Sequence, residues 1–485
     1  MKFQSTRGSE KGVASAEAII KGIAKDGGLF VPDGTIPDLY KTLKKEKGLT
    51  YEELAFKIIK EYFTDIKQTE LMDAINAAYK DRFDVKVNKN FLELYHGPTC
   101  AFKDAALLFL PQIMKRAKKS IGVKEEVVIL TATSGDTGKA ALEGFKDVEG
   151  FKVVVYYPKS GVSAIQKRQM STQEGENVKV FAIEGNFDNA QTGVKNIFAD
   201  NKFKDQLKEK GYILSSANSI NIGRLVPQIV YYFYGYFKLV ESGKINLDDK
   251  INVVVPTGNF GNILASYYAR EMGLPINKFI CASNENKVLT DFFESGEYDK
   301  NRELILTESP SMDILVSSNL ERLLFEVSGR DSKEITKLMK QLNETGKYSV
   351  SDTVKENLKD FYGNYATSEE IHNTIKEKYK REGYLMDTHT AVADVVYSKY
   401  VNETNDTTQP LIASTASPYK FPRSICEALE IDIENMNDFE VLTELNKKTE
   451  VEIPANLKGL NKKKVLHKDV FDKDKMEEAL LSYLK

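Results

Sequence analysis

The chain is predicted to be an α/β protein of two lobes, with open, mostly parallel sheets carrying helices on both faces, behind a helical N-terminal cap. Three observations carry that prediction. From about residue 91 onward, strand-length apolar runs alternate with helical stretches. The runs are continuous, as in Val127-Val128-Ile129-Leu130, which is how strands buried on both faces of βαβ units read. A length of 485 residues calls for more than one domain or one large two-lobed unit.

Each element follows in order. Ala14 to Ile23 has apolar residues at helical spacing and stops at the turn signal Asp26-Gly27-Gly28. Thr50 with Glu53 forms a capping-box pattern before Leu54, Ile58 and Ile59. These place the helical cap over residues 1–80. Residues 81–430 form the core in two α/β lobes. There Phe91-Leu92-Glu93-Leu94 precedes a helix opening at Lys103. Val127 to Leu130 leads into Thr137 to Phe145, Val153 to Tyr157 into Ser163 to Gln173, and Val178 to Ile183 into Phe187 to Phe198. Ile251 to Val255 leads into Ile263 to Glu271, and Phe279 to Ala282 follows. Open α/β sheets bind ligands at the carboxyl ends of their strands. The charged stretch around 331–381 reads as part of a mostly helical, surface-packed insertion near 300–380. Asn402 to Thr408 is a polar loop. Residues 431–485 pack on the core, ending in a lysine-rich loop and one helix.

Composition removes several function classes. The balance of 68 basic and 71 acidic residues offers nothing to nucleic acid or a membrane surface. Three cysteines and four histidines are scattered without metal-ligand spacing. No apolar signal core follows Met1 and no run reaches membrane-spanning length, so a reducing cytoplasm is the default. GxGxxG, GxSxG and HExxH are absent.

Five segments could carry chemistry. Lys103 opens an apolar helix, where an amine is either solvated or desolvated into a nucleophile able to form a Schiff base. Pro256-Thr257-Gly258-Asn259-Phe260-Gly261-Asn262 follows a strand and starts a helix, which suits a phosphate cradle or an ordinary βα loop. Thr133-Ser134-Gly135-Asp136-Thr137-Gly138-Lys139 has the same setting and suits a carboxylate, with Asp136 alternatively serving the helix N-terminus. It is no P-loop, because Ala140 and Thr133 stand where Ser/Thr and Gly are required. Asn218-Ser219-Ile220-Asn221-Ile222-Gly223-Arg224 offers amides, a hydroxyl and a guanidinium fork for a second anion, or a capped helix with Arg224 exposed. Ser414-Thr415-Ala416-Ser417-Pro418-Tyr419-Lys420 follows an apolar strand, and its hydroxyls could meet a ring nitrogen or the local backbone.

A lysine, a phosphate cradle, a carboxylate loop, a second anion loop and a hydroxyl for a pyridine together suit pyridoxal 5'-phosphate (PLP) chemistry. Over nearly its whole length the chain resembles threonine synthases of the long bacterial and fungal type. The motifs run from Ser5-Thr6-Arg7-Gly8 and Asp26-Gly27-Gly28-Leu29-Phe30 through Gly97 to Asp104, Ser134 to Gly138, Asn218 to Asn221 and Pro256 to Asn262. They end with Met312 to Asn319 and Asp387-Thr388-His389-Thr390. The resemblance implies a tryptophan-synthase-β-like PLP fold and a Lys103 Schiff base with PLP. It implies that Gly258, Asn259, Phe260, Gly261 and Asn262 surround the cofactor phosphate and that Thr415 faces the pyridine nitrogen. Ser134, Gly135, Asp136, Thr137, Asn218, Ser219 and Arg224 would hold the substrate. The reaction implied is a carbon–oxygen lyase step on phosphate, O-phospho-L-homoserine and water giving L-threonine and phosphate, in a monomer or homodimer. Cys100, Asp136, Ser417 and Tyr419 depart from residues common in the wider fold, leaving their local roles open. A PLP dehydratase or β-replacement enzyme, and a catalytically silent PLP-binding protein, are the rivals.

Overall fold

A computed structural model describes residues 1–133, 135–160 and 162–484, except the side chain of Asp188. Val/Ile-rich runs become two separate parallel sheets. The first is six-stranded, ordered Phe361–Tyr365, Ile276–Ser283, Ile251–Pro256, Pro410–Ser414, Phe91–His96 and Asp84–Asn88. Only its last pair is antiparallel. Val254 lies opposite Ile280 on one side and Ile412 on the other, so the register stacks apolar residues across the sheet centre. The second is five-stranded and parallel throughout, ordered Val470–Asp472, Val178–Glu184, Phe151–Pro158, Glu126–Ala132 and Tyr212–Ser215. Every residue of Ile251–Pro256 is buried, as expected of a strand covered on both faces.

The lobes approach closely beneath the strand ends. A Cβ on Gly144 would stand 1.9 Å from the Leu107 carbonyl oxygen, so the helix Asp136–Phe145 crosses the helix Lys103–Leu107 backbone to backbone. The N-terminal segment adds an antiparallel pair, Lys2–Ser5 with Phe30–Asp33, to its helices. Arg322, fully buried, ties that pair to the second lobe by donating from Nε to the Phe30 carbonyl at 2.9 Å and from Nη2 to the Ile220 carbonyl.

Several stretches differ from the sequence expectation, among them Lys347–Ser349, which pairs antiparallel with Glu297–Asp299 inside the expected helical insertion. Phe361–Tyr365, inside the region expected to be a helical insertion, is an edge strand of the main sheet, with Phe361 beside Phe279. Five residues interrupted by Gly363 give too short an alternation to stand out among charged helices. Val470–Asp472 is a three-residue edge strand that only its partner Ala182–Glu184 specifies. Asn402 to Thr404 complete the helix Thr388–Thr404, which ends at Asn405 in the left-handed conformation. Among the described residues no helix is long and apolar enough to cross a membrane.

Candidate active site

Sheet topology gathers the candidate residues. Phe91–His96, Pro410–Ser414 and Ile251–Pro256 are adjacent parallel strands, so their carboxyl ends share one edge. Lys103, Thr415 and the Thr257–Asn262 turn follow those three ends. In the second sheet Glu126–Ala132 and Tyr212–Ser215 are also adjacent and parallel, which brings Gly135–Thr137 beside Asn218–Arg224. Ser134 lies outside the described residues.

Lys103 sits at the helix start with its side chain 13% exposed. Its Nζ donates to Ser311 Oγ at 3.2 Å and stands 3.9 Å from Asp136 Oδ2. Burial pushes the amine below its ordinary pKa. Asp136 opposes that effect, and the charges of Arg224 and Lys420 add to it. The loop before it is braced. The Phe102 amide donates to the Thr415 carbonyl at 2.8 Å, and the Ser417 amide to the Cys100 carbonyl at 3.0 Å. Cys100 holds a left-handed φ of 60° in this loop, and burial pushes its thiol up to about 12, which disfavours the thiolate.

The Gly258 turn fits a phosphate. A Cβ on Gly258 would meet the Ser311 carbonyl at 2.6 Å, so the backbone there is packed too closely for any side chain. Ser317 Oγ donates to the Gly258 carbonyl at 2.6 Å and Asn319 Nδ2 to the Asn259 carbonyl at 2.9 Å. These bonds take up carbonyls, leaving N–H groups for an anion. Phe260 adopts φ 63°, and the helix Gly261–Glu271 begins directly after it. The Phe260 ring is buried against Phe293 and Phe361, so only its backbone faces the turn. Asn262 accepts from the Tyr232 hydroxyl, while its buried Nδ2 has no partner among the described residues. An orphaned buried donor at a helix N-terminus is a place for an anion. The 415 segment resolves similarly. Ser414 Oγ lies 2.9 Å from Thr390 Oγ1, and Ser417 Oγ accepts from the Tyr419 amide at 3.3 Å, so both hydroxyls are already engaged, Ser417 locally and Ser414 across 24 residues. Thr415 remains at the strand end, 6% exposed.

On the second lobe Arg224 is 4% exposed. Its Nη1 donates to the Ala217 carbonyl at 2.7 Å, and its buried Nε has no partner among the described residues. Burial pushes the guanidinium down to about 10, which leaves it charged at neutral pH. Asn218 is exposed and Ser219 half-buried at the lip, whereas Asn221 is structural, donating to the Ile19 carbonyl at 2.9 Å and capping Gly223. Asp136 does not cap its helix. Thr133 Oγ1 does, accepting from the Gly135 and Gly138 amides at 3.0 and 3.1 Å. Lys139 pairs with Glu143 at 3.2 Å, away from any phosphate.

Sequence reasoning missed Ser311, His389, Gln166 and Lys420 as site residues. The Ser311 amide donates to His389 Nε2 at 3.2 Å, and His389 Nδ1 meets Asp387 Oδ2 at 2.7 Å. A backbone N–H pointing at Nε2 fixes this histidine as the Nδ1–H tautomer. The Asp387-Thr388 capping pattern was the available signal for that helix start, but nothing local tied it to Ser311, 78 residues earlier.

Comparison with known proteins points to one family. Residues 2–79 match the family model described as Threonine synthase N terminus, and 66–412 the model described as Pyridoxal-phosphate dependent enzyme. Threonine synthase-like 1 of Homo sapiens is 42% identical over 440 residues, and the chain spans 58% of that relative's length. Threonine synthase of Saccharomyces cerevisiae is 38% identical over 465 residues, with 88% of this chain and 89% of that one covered. PLP-bound threonine synthase from Brucella melitensis superimposes with a TM-score of 0.88 at 34% identity, over the full length of both chains. Threonine synthase from Escherichia coli does so with a TM-score of 0.77 at 27% identity, also over both full lengths.

Proposed function

Because the chain belongs to the threonine synthase family of PLP-dependent enzymes, we propose that it converts O-phospho-L-homoserine and water to L-threonine and phosphate. PLP is the cofactor, and the orphaned Asn262 Nδ2 and the side-chain-free surface at Gly258 fit its phosphate. Bound there, it supplies the electron sink that acidifies carbons next to an amino group.

The chain's own residues do the rest. Lys103 would bear the cofactor, and its buried amine would carry protons between substrate carbons. The Gly258–Asn262 turn, with Asn259, Phe260 and Gly261, binds the cofactor phosphate, and Thr415 meets its ring nitrogen. Gly135 and Thr137 hold the substrate carboxylate at a helix start, Ser134 belongs to the same proposed set, and Asn218, Ser219 and Arg224 hold the substrate phosphate. That phosphate leaves from the γ carbon, and water adds at the β carbon. Closure of the lobes keeps water out until that step.

The observation that carries the substrate assignment is Arg224, a buried, charged guanidinium whose Nε has no partner among the described residues and whose charge acts on the Lys103 amine. A dehydratase acting on serine or threonine has no use for that second cation. The test is phosphate release and threonine formation from O-phospho-L-homoserine by purified, PLP-loaded protein. Efficient turnover supports the reading. Deamination of serine or threonine without turnover of the phosphorylated substrate would replace it.

A further inference from the structure

One buried charge in the site is unused by that reading. Lys420 is fully buried, and its Nζ is saturated by three acceptors from three segments. These are Asp136 Oδ1 at 2.8 Å, Gln169 Oε1 at 2.8 Å and the Thr99 carbonyl at 3.2 Å. An ammonium has three N–H donors, so none is left for a ligand. Thr99 belongs to the Lys103 loop, Lys420 to the loop after Thr415, and Asp136 and Gln169 to the second lobe. The ion pair is thus an interlobe tie beneath the reacting lysine.

The two oxygens of Asp136 are unequal. Oδ1 receives Lys420 and, at 2.9 Å, Gln166 Nε2. Among the described residues, Oδ2 has only Ser311 Oγ at 3.4 Å and Lys103 Nζ at 3.9 Å. We infer that Lys420 is a positioning residue: it anchors Asp136 by one oxygen so that the other stays anionic and faces the Lys103 nitrogen without closing on it.

Charge supports the geometry. Burial alone would raise the Asp136 carboxyl, but Lys420, Lys103 and the bonds from Lys420 and Gln166 outweigh it and hold the group well below the ordinary carboxylate range. Lys103 faces Asp136, Arg224 and Lys420. Lys420 also faces Asp104 and Lys139, whose charge Glu143 opposes. Lys420 therefore attenuates the pull of Asp136 on Lys103 in two ways, by occupying Oδ1 and by its own like charge.

That attenuation gives two variants opposite signs. The readout is the pH midpoint of the bound cofactor's visible absorbance in the holoenzyme, which reports proton affinity at the Lys103 nitrogen. Asp136→Asn removes the anion and lowers the midpoint by about one pH unit or more. Lys420→Met removes the competing cation, lets the carboxylate close on Lys103, and raises the midpoint by roughly half a pH unit to one. Lys420→Gln, which keeps a donor for the Thr99 carbonyl, serves where the methionine variant does not fold. Cofactor content and melting temperature, measured alongside, register purely structural damage, which moves them without moving the midpoint. Midpoints displaced in the same direction, or an unmoved midpoint in folded Asp136→Asn or Lys420 variants, overturn the proposal. It rests on Lys103 bearing the cofactor. Borohydride fixation and peptide mapping test that premise separately, and a label on another lysine removes premise and proposal together.

Discussion

The two lobes present loops of the same kind, each following a strand end, yet build them differently. In the first lobe the loops are cross-braced. Thr415 and Cys100 carbonyls are taken by amides of the facing loop, and the Gly258 and Asn259 carbonyls by Ser317 and Asn319. In the second lobe the lip is loose. Asn218 is exposed, its amide bonds among the described residues only to Ser216 Oγ at 3.2 Å, and the Ser219 carbonyl is reached by Asn319 at 3.4 Å. A site that holds a resident group gains from being preorganised, because ordering is completed during folding. A site that admits and releases substrate needs a side that can move. The difference supports the proposal that the cofactor sits on the first lobe and the substrate's outer end on the second.

Lys103→Ala tests the braced side most severely. Turnover should fall by at least about a thousandfold, because cofactor attachment and proton carrier disappear together. PLP should still bind through the turn, measured by cofactor content after dialysis. Near-normal threonine formation would remove Lys103 from the reaction. Arg224→Ala tests the loose side. Losing a buried charged contact costs about 2–4 kcal/mol, or roughly 30- to 1,000-fold in kcat/KM for the phosphorylated substrate. Its cofactor spectrum and PLP affinity should stay close to wild type. Equal loss of PLP would erase the division of labour between the lobes.

Gly258→Ala sharpens the comparison. The added methyl meets a backbone carbonyl at 2.6 Å, so the turn or the Ser311 segment must move. Such overpacking costs about 1–3 kcal/mol. It should appear as a PLP affinity weakened roughly 5- to 100-fold, with KM for the substrate phosphate changed less. A variant that binds PLP normally would show that the turn is not the cradle.

How far the sequence revealed this plan follows from the same contrast. The strands flanking the site were legible because continuous runs such as Ile251 to Val255 are buried on both faces. The Thr50–Glu53 capping box was legible for a local reason too, and it is present with both bonds. Residues whose meaning is tertiary were not legible. Ser311 and His389 meet across 78 residues. Lys420 reads as one more lysine until its three acceptors converge. By position alone Asp136 could serve a ligand or the helix N-terminus, but Thr133 had already taken the second role. Phe361–Tyr365 was hidden because an edge strand is specified by its neighbour more than by its own pattern.

The smallest expected effect concerns the brace itself. Asp104, next to Lys103, is fully buried. It accepts from the Thr99 amide at 2.8 Å and the Thr99 hydroxyl at 2.7 Å, closing the loop that presents the lysine. Burial pushes its carboxyl up to about 7, against the hydrogen bonds from Thr99 and the charge of Lys420. The folded state then binds a proton that the unfolded chain, with an ordinary carboxyl near 3.8, releases at lower pH. Between those two values the folded state holds more protons, so this group's contribution to stability is full below pH 4 and falls as pH rises toward 7. A tenfold difference in proton affinity between the two states is worth on the order of 1.4 kcal/mol. Asp104→Asn keeps a similar shape and cannot ionise. Between pH 5 and pH 8 the wild type should therefore lose about 2 kcal/mol of unfolding free energy relative to the variant, measured by urea denaturation of the holoenzyme. Parallel pH profiles for the two proteins would mean that Asp104 is ionised throughout. The Lys420 charge and the Thr99 bonds would then outweigh burial at the brace beneath Lys103.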